Sequence, residues 1–117
     1  MQYIIKISAN GNTRVIPFAK NSRIPLDLLQ EYVGGHIETV SCIAHGYVMV
    51  INEEGKLLGL PINKVATVLY NSVFDNICGD VILMRTYNSD LCGFNFDTTE
   101  CLKTLITSIR EEINNEH

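Results

Sequence analysis

Two glycines followed by a histidine and a carboxylate, Val33-Gly34-Gly35-His36-Ile37-Glu38, form the segment best furnished for chemistry. Adjacent glycines leave backbone N–H groups open to approach. His36 and Glu38 fall on one face of a strand, because side chains there alternate with period two. An exposed imidazole beside a carboxylate can carry a proton to or from a substrate. The same residues also read as a helix stop followed by a surface strand. A second group, Asn52-Glu53-Glu54-Gly55, brings two carboxylates and an amide together and suggests a divalent cation. Calcium loops, however, spread six or more oxygen ligands over about twelve residues. Here Lys56 follows at once, so a plain turn is the better reading and no metal is expected. A third, Gly59-Leu60-Pro61-Ile62-Asn63-Lys64, reads as a helix start with Pro61 at its first position. Free N–H groups and the positive end of a helix dipole, with Asn63 and Lys64 in that first turn, could hold an anionic ligand. An ordinary helix start accounts for the same residues. The candidates are therefore His36 and Glu38 for acid–base work, and Gly34, Gly35, Asn52, Glu53, Gly59, Pro61, Asn63 and Lys64 for a ligand or partner.

Other chemistries find little support. Cys42, Cys78, Cys92 and Cys101 are isolated from one another, whereas zinc sites pair ligands two to four residues apart. His45 follows Cys42 by three residues, which on one strand sends the two to opposite faces. Cys42 and Cys78 sit among apolar neighbours and read as small core residues. Neither a phosphate-binding G-x-x-x-x-G-K-[ST] loop, nor G-x-S-x-G, nor H-E-x-x-H occurs. No cofactor is expected. The net charge is −4, and the nine basic residues are scattered rather than clustered, which disfavours direct contact with nucleic acid. The start of the chain lacks the pattern of a signal peptide, and no apolar run approaches the ~20 residues that span a bilayer. The expectation is a cytoplasmic protein with reduced thiols, not bound to membrane.

The elements that must position these residues are legible from pattern. At 117 residues, 46% of them apolar, the chain has the size and composition of one domain with a real core, residues 1–117. Residues 3–9 and 13–19 read as paired strands around Asn10-Gly11, which suits a tight turn with positive φ at both positions. Pro17 removes a ladder donor and places the second strand at a sheet edge. A helix follows, with Ile24, Leu28, Leu29 and Tyr32 at helical spacing and Gly34-Gly35 as its stop. Residues 36–44 read as a strand, and 47–59 as a hairpin turning at Asn52 to Gly55. Leu60-Pro61 opens a second helix with Ile62, Val65, Ala66 and Leu69 on one side. Residues 80–87 read as a buried strand. A C-terminal helix over about 98–114 starts with Asp97 as cap, Glu100 completing a capping box and Phe96 packing on Cys101. The order of elements predicts an α+β fold: a mainly antiparallel or mixed sheet with two or three helices on one side.

Three segments in order, Leu28 to Glu38, Val50 to Lys64 and Ile77 to Leu83, resemble a family of small domains of unknown function from bacteriophages, plasmids and their bacterial hosts. The resemblance covers roughly residues 1–87. It is carried most specifically by V-G-G-x-I-E and N-E-E-G-K-L-x-G-L-P-x-N, with Lys64 standing where that family commonly has Arg. It implies no activity, cofactor or catalytic residue. It implies instead a small accessory protein of a mobile element, of the kind that takes part in the contest with host defences. The leading expectation is thus a non-enzymatic binder of a host protein or of a small anionic, nucleotide-like ligand. The alternatives are a small hydrolase or transferase using His36 and Glu38, and a structural homo-oligomer joined through its C-terminal helix or its Pro17 edge.

Overall fold

A computed structural model of the chain describes residues 1–71 and 75–116. Its elements run β1 (Gln2–Ile7), β2 (Thr13–Phe18), α1 (Leu26–Val33), β3 (Ile37–Ser41), β4 (Tyr47–Asn52), α2 (Lys64–Tyr70), β5 (Val81–Tyr87), β6 (Asp90–Cys92) and α3 (Phe96–Asn115). All six strands join one antiparallel sheet in the order β2-β1-β5-β4-β3, with β6 pairing with β5 beyond the start of β1. The fold is α+β, as expected.

β5 lies at the centre. Its first four residues, Val81 to Met84, are all buried. That unbroken apolar run, rather than an alternation, is what a strand covered on both faces requires. Alternating residues then divide between two cores. Val81 and Leu83, with Ile5, Ile7 and Met49, face Val65, Ala66 and Leu69 of α2 and Leu102, Ile106 and Ile109 of α3. Ile82 and Met84, with Ile4, Ile16, Val48 and Val50, face Leu29 and Val33 of α1. The helices therefore occupy both faces, and the expectation of helices on one side is corrected. The apolar run of β5 needs a cover on each side, and α1 provides the second.

Three local assignments shift with it. The 47–59 hairpin does not form: β4 is flanked by β3 and β5, so both its edges are taken and residues 56–59 have no strand to join. They form turns instead, with Leu58 N–H donating to the Glu54 carbonyl and Leu60 N–H to that of Gly55. α2 begins at Lys64 rather than at Pro61, because Asn63 is its cap and Ile62 makes a β-bridge to Cys78. α3 begins at Phe96. Asn95, not Asp97, accepts from Thr98 N–H at 2.8 Å, and its carbonyl accepts from the Thr99 N–H and hydroxyl. Phe96 makes an edge-on ring contact with Tyr3. At the first hairpin the turn is longer than two residues. Only Gly11 has positive φ, and Asn10 caps Asn12 N–H through its own side chain. β2 lies at the sheet edge, where Pro17 placed it.

Two buried asparagines connect these layers. Asn63 is fully buried, its Oδ1 accepting from Ala66 N–H while its Nδ2 donates to the carbonyls of Ile7 and Gly79, each at 3.0 Å. One amide thus caps α2 and ties it to the end of β1 and the approach to β5. Asn52, at the end of β4, donates from Nδ2 to the Val33 carbonyl at 3.1 Å and accepts Glu54 N–H at 2.8 Å. It fixes the C-terminus of α1 to the sheet. Asn63→Ala removes three hydrogen bonds from the interior, each worth ~1 kcal/mol. The expected loss of about 3 kcal/mol, read from urea denaturation, contrasts with a change within ~0.5 kcal/mol for the exposed Lys64→Ala.

Candidate functional site

The glycine corner is built for structure first. Gly34 ends α1 at φ 81°, and the N–H groups of both Gly34 and Gly35 donate to the Gln30 carbonyl, as expected of a glycine stop. Gly35 also lies against Asn52: a β-carbon there would stand 3.0 Å from Asn52 Nδ2. The two glycine N–H groups are therefore occupied within the fold. His36 and Glu38 are both exposed, His36 just before β3 and Glu38 on it. The His36 carbonyl accepts from Glu53 N–H. Glu38 lines a cleft of about 370 Å³ over the β4–α2 connection, together with Glu53 and the paired Lys56 and Asp75.

The second motif is likewise drawn into the framework. Gly55 is buried, and a β-carbon there would meet the Cys78 carbonyl oxygen at 2.7 Å. Asn52 and Asn63 have their amides engaged internally, so neither offers hydrogen bonds to a ligand from this conformation. Gly59 is exposed with φ 69°, and the Pro61 carbonyl accepts from Gly79 N–H. Lys64 is exposed and lines a cleft of about 250 Å³ with Arg110. The candidates named from sequence thus fall at two places: Gly34, Gly35, His36, Glu38, Asn52 and Glu53 around the corner of α1, β3 and β4, and Gly59, Pro61, Asn63 and Lys64 on the approach to α2.

A different set of residues converges on the opposite end of the sheet. A cleft of about 810 Å³ opens between the start of the chain, the connection into α1, and the β5–β6 hairpin. Its base is Gln2, 7% exposed, whose Nε2 donates to the carbonyls of Ala19 and Ser22 and whose Oε1 accepts from Gly93 N–H. Gly93 must be glycine, since a β-carbon would lie 2.7 Å from the Tyr3 carbonyl oxygen. Arg85 donates from Nε to the Gly93 carbonyl at 2.7 Å and stacks over the Tyr87 ring. The hairpin that carries Tyr87 turns through Asn88 and Ser89, both with positive φ, the geometry of a primed two-residue turn.

Lys20, Arg23 and Arg85 line this cleft against the single carboxylate of Asp90. None of the three forms an ion pair with a carboxylate among the described residues. Asn95, the cap of α3, also lines it, as do the exposed Leu26 and Tyr87. In a chain of net charge −4, three unpaired cations around one concavity form a local positive field beside apolar surface. Such a field favours an anion carrying an apolar or aromatic part. Sequence reading missed this site because its cations lie up to 65 residues apart. The nearest signal was Lys20 and Arg23, close together on either side of Asn21-Ser22.

The arrangement defines a small antiparallel-sheet protein, covered by helices on both faces, with a cationic cleft at one end of the sheet. The chain belongs to the family described as a domain of unknown function (DUF3846), whose model matches residues 1–105. That match extends past residue 87, where the resemblance was drawn, and into α3. No curated protein and no solved structure matches the chain. No helix among the described residues is long and apolar enough to cross a membrane.

The cysteines remain apart and free, and no group of three or more His, Cys, Asp or Glu side chains among the described residues is placed to hold a metal ion. Cys42 is buried at the end of β3, and desolvation pushes its thiol up from the usual 9.0 to about 11. The thiolate is the reactive form. At pH 8 an alkylating reagent is therefore expected to modify the exposed Cys101 well before Cys42, as peptide mass spectrometry can follow. The folded thiol titrates above the unfolded one, so its contribution to stability is intact below pH 9 and is lost as pH rises toward 11. Cys42→Ala removes that component of the alkaline decline in melting temperature.

Proposed function

We propose that this protein is a non-enzymatic binder that captures a small anionic ligand in the cleft lined by Lys20, Arg23 and Arg85. One observation carries the reading: three cations without carboxylate partners among the described residues surround one concavity of an acidic chain. Capture needs a shaped and charged surface and no nucleophile. Arg85 is held by its Nε bond to Gly93, which leaves the other end of its guanidinium for a carboxylate or phosphate in bidentate geometry. Leu26, Tyr87 and Leu91 supply apolar surface for the rest of such a ligand.

The wider role is read from the resemblance carried by the V-G-G-H-I-E and N-E-E-G-K-L-L-G-L-P-I-N segments. In this reading the protein is an accessory factor of phages or other mobile elements, acts in the bacterial cytoplasm, and withdraws a small anionic host metabolite or signal in counter-defence. A host protein is the second kind of partner. Leu57 and Leu58, exposed side by side at 87% and 57%, favour it, since neighbouring apolar side chains left in water mark contact surfaces.

The test is calorimetric titration with a panel of nucleoside phosphates, cyclic dinucleotides and inorganic pyrophosphate. The double variant Lys20→Ala/Arg23→Ala is expected to weaken the best ligand by roughly a hundredfold, about 1.4 kcal/mol for each cation lost. The melting temperature of the free protein should hold, because both side chains lie outside the described hydrogen bonds and ion pairs. Raised salt should weaken binding to the wild-type protein in the same direction. Binding that survives the double variant unchanged rejects the site.

A further inference from the structure

The two outer strands of the sheet differ in what they leave unpaired. Within an antiparallel ladder, alternate residues turn their N–H and C=O groups toward the partner strand and the rest turn them away. Beside β4, Glu53 N–H donates to the His36 carbonyl and Cys42 N–H to the Tyr47 carbonyl. Continuing that alternation through the β3–β4 register, Glu38 and Val40 also point their backbone groups inward. Ile37, Thr39 and Ser41 point theirs outward. The same count on the other side starts from Ser8 N–H donating to the Asn12 carbonyl. It sets Thr13, Val15 and Pro17 outward from β2. Pro17 has no N–H, so the last position of that outer row lacks a donor. The β2 edge is blunted. The β3 edge carries no proline and no lysine, and its only charge is Glu38.

We propose that the β3 edge is a homodimerisation surface, on which a second copy of this chain pairs its own β3 antiparallel about a two-fold axis at Thr39. The outward rows are self-complementary in this register. Thr39 meets Thr39 of the other copy, and Ile37 meets Ser41 in both directions. Each of these pairs exchanges two backbone hydrogen bonds, so every outward group of the strand is used. Glu38 lies opposite Val40, and no like charges face each other. A shift that brings residue 38 to the axis sets two glutamates side by side, and any shift shortens the row. The two sheets become one continuous twelve-stranded sheet, with an isologous contact of the kind a two-fold dimer requires. The Pro17 edges are left at its outer ends.

Sedimentation velocity over a rising concentration series tests this with the whole chain. The wild-type protein is expected to pass from monomer to dimer. Thr39→Pro removes the outward N–H at the axis and should weaken the dimer by roughly tenfold or more, while Thr39→Val, which keeps it, should not. Thr39→Lys and Thr39→Glu offer a route that does not depend on tolerating proline. Each alone sets like charges at the axis and should remain monomeric, and an equimolar mixture of the two should restore a dimer. A wild-type chain that stays monomeric to the top of the series overturns the proposal. So does a dimer that Thr39→Lys leaves intact.

Discussion

The side-chain amide of Asn63 holds the three parts of this fold that sequence separation would otherwise keep apart. It reaches the end of the first strand, the approach to the central one and the start of the second helix with one group, and it does so fully shielded from water. In the interior such bonds are unscreened, and a missing partner costs more than a formed bond contributes. The requirement is therefore steep on both sides: the site accepts an amide and little else. Asn52 repeats the device at the same end of the sheet, fastening α1 to β4. Gly35 and Gly55 follow from these placements, since side chains there would collide with Asn52 and with the Cys78 carbonyl.

This explains why the most distinctive segments of the chain carry no evident chemistry. Val33 to Glu38 and Asn52 to Asn63 are uncommon because backbone and amide must approach closely there. Within them Asn52, Asn63, Gly35 and Gly55 serve internal connections, while His36, Glu38, Glu53 and Gly59 stay exposed. From sequence alone an asparagine after a proline-containing turn reads equally as a ligand donor and as a helix cap. The choice depends on Ile7 and Gly79, which no local window contains.

Much of the fold was legible because it rests on short-range pattern. The β1–β2 pairing, the outer position implied by Pro17, the stop of α1 at Gly34 and the buried run of β5 all follow from residues a few places apart. All but one of the failures share one cause, a partner distant in sequence. The supposed hairpin at 47–59 had acceptable turn residues, but β4 was already claimed on both edges by strands distant in sequence. The start of α3 was misplaced by two residues because Asn95 and Asp97 are both good caps, and only the bonds to Thr98 and Thr99 separate them. The helices were assigned to one face because amphipathic spacing gives the direction of an apolar stripe and not the side of the sheet it meets. The cationic cleft was invisible for the same reason: Arg85 joins Lys20 and Arg23 only through the sheet and the turn at Asn88-Ser89.

The central place of β5 has a consequence for how the chain assembles. β1–β2 and β3–β4 are local hairpins, but the strand that joins them is residues 81–87. Both hairpins must therefore wait, each with an open inner edge, until that distant segment arrives to bridge them. Topologies of this sort fold slowly, since loop closure comes before the contacts that repay it. During synthesis the wait lasts for the time needed to make about thirty residues after β4 and about sixty after β2, on the order of seconds. An apolar strand that completes a sheet so late is also the natural point at which a chaperone, or a neighbouring nascent copy, would intercede.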